Sequence, residues 1–318
     1  MLDVLQDLQP HFDEVQKYMQ LALASDEPKV TSLIADLGTF HGKMLRPALV
    51  LLVAEAVGKV SSIHHRMGAA LELIHTATLI HDDLIDDADV RRGQPTAHVR
   101  FNNTTAVLLG DYFYTHAFNL IADLMNPGVT KRLTATTNII CGGELHQQCV
   151  ARNVQLTEGE YNRIIYAKTA VLCELAGEFG AIEGSVEQQR AAAAYSRAAG
   201  MAFQVVDDCL DFSGDPQKVG KTLSTDIERG RLTLPIIRLL ENAGSKRADY
   251  ERRLVTVSTP TEVEAIRSLV IESGSVTAAL NTARSYVKDA QHQLTAFPEG
   301  PYRQRLWNLA EFIVARDF

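Results

Sequence analysis

Apolar and polar positions alternate along most of this chain with the 3.6-residue period of an α-helix. One long stretch carries apolar or small residues at steps of three and four, namely Ile63, Met67, Leu71, Ile74 and Thr78. Strictly alternating strand patterns and Asn-Gly hairpin signals are nearly absent. The sequence therefore predicts an all-α fold.

The same periodicity predicts the helix boundaries. The predicted helices are 3–23, 29–38, 46–58, 62–88, 104–124, 128–151, 157–180, 187–213, 232–242, 246–255, 260–273, 275–294 and 301–316. Helices 62–88 and 187–213 are long and apolar over a wide face, which is typical of the middle of a helical bundle. Because prolines and glycines are scattered and no linker is evident, we predict a single domain over residues 1–318.

Composition and charge restrict the possible partners and location. The net charge of −8 argues against nucleic acid as the main partner, since a phosphate backbone selects a basic face. The longest apolar run, Ala48 to Ala54, is too short to cross a bilayer, and the N-terminus lacks a signal-peptide pattern. We expect a soluble, cytoplasmic chain with reduced thiols at its cysteines, Cys141, Cys149, Cys173 and Cys209.

An acidic run, His-Asp-Asp-Leu-Ile-Asp-Asp-Ala-Asp-Val-Arg-Arg-Gly, occupies residues 81–93. If helix 62–88 continues through it, Asp82, Asp86 and Asp89 stack along one helix face. A single run of this kind is typical of a solvated acidic face. A second run, Asp207-Asp208-x-x-Asp211, repeats the Asp-Asp-x-x-Asp spacing after another apolar helical approach, and this favours a cation site shared between two helices.

The residue types point to magnesium and a diphosphate. Mg²⁺ prefers oxygen ligands and commonly takes one or two carboxylates while substrate phosphates complete its shell. No nucleophile elbow, Walker loop or Gly-x-Gly-x-x-Gly turn is found. The predicted chemistry therefore needs no protein nucleophile: metal ions and cationic side chains neutralise a diphosphate so that it can leave.

The chain carries an ordered set of motifs: Gly42-Lys43-x-x-Arg46-Pro47, Glu72-Leu73-Ile74-His75, Asp82-Asp83-x-x-Asp86, Arg91-Arg92-Gly93, Gly110-Asp111-Tyr112, Gly143-Glu144-x-x-Gln147, Lys168-Thr169-Ala170, Phe203-Gln204-x-x-Asp207-Asp208-x-x-Asp211, Gly220-Lys221 and Thr233-Leu234-Pro235. This set resembles the trans-isoprenyl diphosphate synthases, the polyprenyl synthetase family, along nearly the whole chain.

The resemblance implies a helical bundle of the isoprenoid synthase type with a central cavity, usually a homodimer. It implies a Mg²⁺-dependent, head-to-tail condensation of an allylic diphosphate with isopentenyl diphosphate. Asp82 and Asp86 would ligate two Mg²⁺ ions, and Asp207 with Asp211 would help hold a third. Asp83 and Asp208 would act mainly through bound water. Residues implied for the allylic diphosphate are Arg91, Lys168, Thr169, Gln204 and Lys221, and those implied for isopentenyl diphosphate are Lys43, Arg46, His75 and Arg92.

One departure concerns Arg231, which stands where the family usually has lysine. Arginine keeps the positive charge but changes the donor geometry, which puts its phosphate contact in doubt. In the family, aromatic residues four and five positions before the first Asp stop the product early. Here these positions are Thr78 and Ala77, which implies geranylgeranyl diphosphate or a longer product, and Ala77→Phe is predicted to shorten it.

Three alternatives remain open from the sequence. A terpene cyclase also ionises a diphosphate with an Asp-rich motif, but it normally lacks the Gly-Lys-x-x-Arg and Arg-Arg-Gly motifs. An HD-type phosphohydrolase using His81-Asp82 would need further metal ligands. A regulatory subunit that binds prenyl diphosphates without turnover generally has degraded Asp-rich motifs, and both are intact here.

Overall fold

Helices account for almost all of the structure, a computed structural model that describes residues 6–37, 44–91, 93–213 and 225–315. In chain order the α-helices are α1 Gln9–Leu23, α2 Pro28–Asp36, α3 Leu45–Val57, α4 Ser62–Ile85, α5 Ala97–Arg100, α6 Asn103–Ala122, α7 Pro127–Cys149, α8 Glu158–Ile165, α9 Val171–Gly180, α10 Val186–Ser213, α11 Thr225–Glu228, α12 Leu234–Glu241, α13 Arg247–Thr256, α14 Pro260–Glu272, α15 Ser275–Gln293 and α16 Pro301–Val314. The all-α prediction is confirmed.

Backbone proximity divides the chain into two compact units. The first consists of Met1–Ala135, Leu175–Ala193 and Leu294–Leu306, and the second of Thr136–Glu174, Ala194–Gln293 and Trp307–Phe318. The first acidic run belongs to the first unit and the second acidic run to the second unit. The single domain over 1–318 stays a prediction.

In the first unit, α4 is the central helix and packs against α1, α3 and α6. Helix α3 explains the apolar run noted in the sequence, because every side chain from Ala48 to Ala54 is buried. Burial of that run removes apolar surface from water, which stabilises the unit. No helix in the described part of the chain combines the length and apolar composition that a membrane crossing requires.

In the second unit, α12 packs against α15 and α8. Side-chain caps fix where several of its helices begin. Thr157 and Glu160 form a reciprocal capping box at the start of α8, with Thr157 N donating to Glu160 Oε2 over 2.9 Å. Thr259 and Glu262 do the same for α14. These caps satisfy backbone N–H groups that have no partner inside the helix.

The structure corrects the predicted end of the long helix 62–88. Helix α4 ends at Ile85, Asp86 is its C-cap, and Asp87 adopts a left-handed conformation with φ of 47°. Asp89 therefore lies beyond the helix, and the predicted stack of Asp82, Asp86 and Asp89 on one face is wrong for Asp89. The chain continues into an antiparallel hairpin that the sequence did not predict, with β1 Val90–Arg91 paired to β2 Gln94–Pro95.

Predicted helix 157–180 is also interrupted. A single π-helical turn, Tyr166–Ala170, separates α8 from α9, and we call it the π-turn. The first helix begins at Gln9 rather than at residue 3, after a short 3₁₀ turn at Gln6–Leu8. The other predicted boundaries lie within about two residues of the observed ones, as is usual for helix ends. The short helices α5 and α11 were not predicted.

Candidate active site

The first acidic row, Asp82, Asp83 and Asp86, lies at the C-terminal end of α4. Asp82 and Asp86 are four residues apart and both are partly exposed, whereas Asp83 between them is only 6% exposed. Asp83 Oδ1 accepts a hydrogen bond from Arg91 Nε over 2.7 Å. Burial raises the pKa of Asp83, and the adjacent Arg91 opposes that shift. The charge-assisted bond fixes the hairpin that carries Arg91 to the end of α4.

His81 anchors this end of α4 to α6. Its Nε2 donates to the backbone oxygen of Val107 over 3.1 Å, and its ring stacks on Tyr114. Gly110 makes the close approach possible, because a β-carbon there would lie 2.1 Å from His81 Nε2. The residue immediately before Asp82 is thereby held by a neighbouring helix.

Arg46 and His75 belong to the same unit as the first row. Arg46 lies in the first turn of α3, and its Nε is buried without a hydrogen-bond partner in the part of the chain that the structure describes. A buried guanidinium N–H of this kind normally has an acceptor, so an anionic ligand fits the position. His75 is half-buried on α4.

The second acidic row, Asp207, Asp208 and Asp211, lies near the C-terminal end of α10. Asp207 is partly exposed, and Asp211 is only 1% exposed. Asp211 Oδ2 accepts a hydrogen bond of 3.4 Å from the backbone N–H of Asp226. Asp226 also lies 3.9 Å from Arg231 Nη1 as an ion pair. The arginine noted as a departure from the family therefore pairs with the carboxylate of Asp226, a residue whose backbone N–H donates to the second row.

Asp208, the inner residue of the second row, is bonded to protein side chains. Its Oδ2 accepts a hydrogen bond of 2.6 Å from the Tyr161 hydroxyl, and its Oδ1 accepts one of 2.8 Å from Gln204 Nε2. Burial and the nearby Asp226 raise the pKa of Asp208. Asp83 is likewise bonded directly to a protein side chain, Arg91. The expectation that both inner aspartates act mainly through bound water stays a prediction.

The π-turn carries Lys168 and Thr169, and it belongs to the same unit as the second acidic row. Lys168 Nζ donates to Glu144 Oε2 over 2.8 Å and to Gln147 Oε1 over 3.3 Å, and both acceptors lie on α7. Thr169 is buried, and its hydroxyl donates to Gln204 Oε1 over 2.6 Å. π-turns inside helices occur frequently at functional sites, and this one carries two of the predicted substrate-binding residues.

The carboxylates of the two rows fit a metal ion whose coordination shell is completed by the phosphates of a ligand. Among the described residues, no three histidine, cysteine or acidic side chains come together closely enough to hold a metal ion by themselves. Two oxygen donors from each row, Asp82 with Asp86 and Asp207 with Asp211, match the one or two carboxylates that Mg²⁺ takes when phosphates complete its shell.

Three predicted substrate-binding residues, Lys43, Arg92 and Lys221, lie outside the described residues. Conversely, the sequence reading missed Tyr161 as a partner of the second row. A usable signal existed, because Tyr161, Ile164 and Ile165 form one apolar face of a predicted helix, and a buried tyrosine hydroxyl needs a hydrogen-bond partner.

Comparison with known proteins extends these observations. Residues 27–272 match the family described as "Polyprenyl synthetase". The octaprenyl diphosphate synthase of Haemophilus influenzae is 34% identical over 325 aligned positions, which cover 100% of this chain and 98% of that protein. The geranylgeranyl diphosphate synthase of Methanosarcina mazei is 31% identical, with coverage of 100% and 98%.

A solved structure shares the fold as well. The polyprenyl synthase from Caulobacter crescentus, complexed with calcium and isoprenyl diphosphate, has a TM-score of 0.94 and 31% identity, covering 99% of this chain and 98% of that one. The expected all-α isoprenoid synthase fold is confirmed by this similarity. The family match, the full-length relatives and the shared fold together show that this chain belongs to the polyprenyl synthetase family and is a prenyltransferase.

Proposed function

We propose that this prenyltransferase condenses an allylic prenyl diphosphate with isopentenyl diphosphate, head to tail, in a Mg²⁺-dependent reaction. The observation that carries the proposal is the arrangement of each acidic row. In both rows the inner aspartate, Asp83 or Asp208, is buried and bonded to protein donors. Asp82, Asp86 and Asp207 are partly exposed, so an incoming metal–diphosphate complex can reach them, and the more buried Asp211 lies four residues after Asp207 on the same helix.

The reaction breaks one C–O bond and makes one C–C bond. The allylic C–O bond ionises and diphosphate leaves with the bonding electron pair. The double bond of isopentenyl diphosphate attacks the resulting carbocation, and a proton is then lost to the released diphosphate. When bound, Mg²⁺ supplies positive charge that stabilises the leaving group. Because nothing in this sequence of steps needs a protein nucleophile, the absence of a nucleophile motif in the sequence agrees with it.

Residue roles follow the resemblance, and the contacts described above support several of them. Asp82 and Asp86 would ligate two Mg²⁺ ions, and Asp207 with Asp211 would hold another, about three per active site. The pairing of the two rows on one diphosphate rests on their matching spacing and on the family. The allylic diphosphate would be held by Arg91, Lys168, Thr169, Gln204 and Lys221, and isopentenyl diphosphate by Lys43, Arg46, His75 and Arg92. Lys43, Arg92 and Lys221 are assigned from the resemblance alone.

The buried Nε of Arg46 supports its role in particular. A buried guanidinium N–H costs free energy unless an acceptor is present for part of the working cycle. A diphosphate oxygen is such an acceptor, and arginine binds phosphate with two parallel N–H donors.

The proposed product is geranylgeranyl diphosphate or a longer polyprenyl diphosphate, because Ala77 and Thr78 are small. A homodimer is proposed as the assembly. Exposed apolar side chains on α6 (Val107 and Leu108) and on α7 (Ile139) support it. The proposed location is the cytoplasm, which agrees with free thiols at all four cysteines.

A turnover assay on the purified chain tests the proposal. Labelled isopentenyl diphosphate is incubated with Mg²⁺ and allylic primers of different lengths, and the dephosphorylated products are separated by chromatography. We expect isopentenyl-dependent growth that is abolished by a chelator and restored by Mg²⁺. No product from any primer would favour a regulatory subunit, and product formed from the primer alone would favour a cyclase.

A further inference from the structure

A chain of hydrogen bonds joins four side chains of the second unit. The Tyr161 hydroxyl donates to Asp208 Oδ2 over 2.6 Å, Gln204 Nε2 donates to Asp208 Oδ1 over 2.8 Å, and the Thr169 hydroxyl donates to Gln204 Oε1 over 2.6 Å. All three bonds are as short as strong protein hydrogen bonds. Tyr161 is 2% exposed and Asp208 is 6% exposed, so water does not compete at that end of the chain.

These bonds fix the orientation of the Gln204 side-chain amide. A carboxylate accepts hydrogen bonds and a threonine hydroxyl donates one here, so the amide nitrogen faces Asp208 and the amide oxygen faces Thr169. Turning the amide over would break both bonds. Nε2 carries two hydrogens and uses one for Asp208, which leaves its other N–H as the donor that this side chain can present to an anion.

Thr169 lies at the opposite end of this chain of hydrogen bonds from Tyr161. Its hydroxyl carries a single hydrogen, and that hydrogen is directed to Gln204. In this arrangement Thr169, assigned above to the allylic diphosphate, would contribute to its binding by holding Gln204 rather than by donating to the ligand itself.

We propose that Tyr161 is a positioning residue for the allylic diphosphate, which it aligns through Asp208 and Gln204 without touching the substrate. This inference rests on the proposed function, in which Gln204 contacts that diphosphate. With Oδ2 held by Tyr161, the Asp208 carboxylate keeps Oδ1 directed at Gln204. Without the hydroxyl, the carboxylate is free to rotate, and the amide loses the partner that sets its orientation.

Tyr161→Phe removes the hydroxyl and keeps the buried ring. The matched control is Tyr195→Phe, because Tyr195 is also fully buried in the second unit but lies on α10 more than three helical turns before Asp208. For both variants we would measure binding of inorganic diphosphate with Mg²⁺ by calorimetry, and steady-state kinetics with each substrate.

Loss of one hydrogen bond that orients a charged-ligand contact should weaken diphosphate binding and raise KM for the allylic substrate about tenfold in Tyr161→Phe. We expect kcat within about threefold of the unmodified chain and an unchanged KM for isopentenyl diphosphate. Tyr195→Phe should change none of these constants. A merely structural loss would lower the melting temperature without this selective effect on one substrate.

A double-mutant cycle tests whether Tyr161 acts through Gln204. Once Gln204→Leu has removed the amide, adding Tyr161→Phe should weaken diphosphate binding by less than about twofold. Should Tyr161→Phe fail to fold, Thr169→Val breaks the other end of the same hydrogen-bond chain. Thr169→Val is then expected to bind diphosphate about tenfold more weakly, and to weaken binding by less than about twofold when it is added to Gln204→Leu.

The outcomes separate the inference from the proposed function. An unmodified chain that makes no prenyl product overturns the proposed function and the inference with it. Two results would overturn the inference alone, in a chain that does make product. In the first, Tyr161→Phe binds diphosphate as Tyr195→Phe does. In the second, Tyr161→Phe weakens diphosphate binding as much in the Gln204→Leu background as in the unmodified chain. If Thr169→Val must be used, normal diphosphate affinity in that variant overturns the inference.

Discussion

Gly143 lies where α7 meets the π-turn, and replacing it with alanine tests whether that contact positions Lys168. A β-carbon at Gly143 would be 2.3 Å from the Ala167 Cβ. Carbon atoms in contact are about 3.5–4.0 Å apart, so α7 and the π-turn would have to separate locally by more than about 1 Å. Overpacking of this kind costs about 1–3 kcal/mol. The better helix propensity of alanine offsets up to about 1 kcal/mol of that cost.

The adjacent glycine provides a matched control. Gly142 lies on the same helix, and a β-carbon there would meet nothing within 4 Å. Gly142→Ala gains the same propensity without the clash, so the difference between the two variants isolates the packing cost. For a chain of this length, about 1–3 kcal/mol corresponds to a difference in Tm of about 1.5–4.5 °C.

Activity should follow the same difference. A displacement of about 1 Å at a substrate-positioning group can cost on the order of 100-fold in rate. We therefore expect Gly143→Ala to lower kcat/KM for the allylic diphosphate at least about tenfold, and Gly142→Ala to stay within about twofold. Thermal melts and steady-state assays measure both quantities. Equal Tm and equal kcat/KM in the two variants would refute the role assigned to the contact between α7 and the π-turn.

Three further predictions concern pH, product length and metal binding. Burial, and secondly the neighbouring His11, lower the pKa of His65 from its usual 6.5. Below about pH 6.5 the unfolded chain binds a proton at this histidine more readily than the folded chain does, so stability is lost as the pH falls. Tm should therefore fall between about pH 7.5 and about pH 5.5, and it should fall less in His65→Gln. Parallel Tm curves for the two proteins would contradict this. Ala77→Phe should shorten the products seen by chromatography, with Thr78→Phe measured for comparison. An unchanged product distribution in Ala77→Phe would show that the product-limiting residue lies elsewhere. Calorimetry should show weak binding of Mg²⁺ alone and much tighter binding with diphosphate present, because no three described side chains form a complete metal site; equal affinities would contradict that reading.

Local patterns were sufficient to predict much of the fold. Helix α14 was predicted at 260–273 from its apolar period and is found at Pro260–Glu272, where a capping box of Thr259 and Glu262 fixes its start. The apolar period predicted α10 within one residue at its start. The repeated Asp-Asp-x-x-Asp spacing identified both acidic rows, because each motif is short and lies at the end of one helix.

Features that depend on tertiary packing were not predictable in this way. The π-turn shifts the helical period by one residue, but the residues from Ala170 to Cys173 are all buried, so no polar position there marks the shift. The left-handed Asp87 ends α4 before Asp89, although the acidic residues continue without a break. Tyr161 and Asp208 are 47 positions apart, and only the packed structure brings the hydroxyl to the carboxylate.

The central claim is that both acidic rows bind metal ions on one diphosphate, and anomalous diffraction tests it most directly. Crystals of the full chain would be grown with Mn²⁺ and diphosphate, and the metal positions read from the anomalous signal. We predict Mn²⁺ ions coordinated by Asp82 and Asp86 and by Asp207 and Asp211, all sharing the same diphosphate. Metal ions at only one row, or a diphosphate that contacts neither row, would contradict the account.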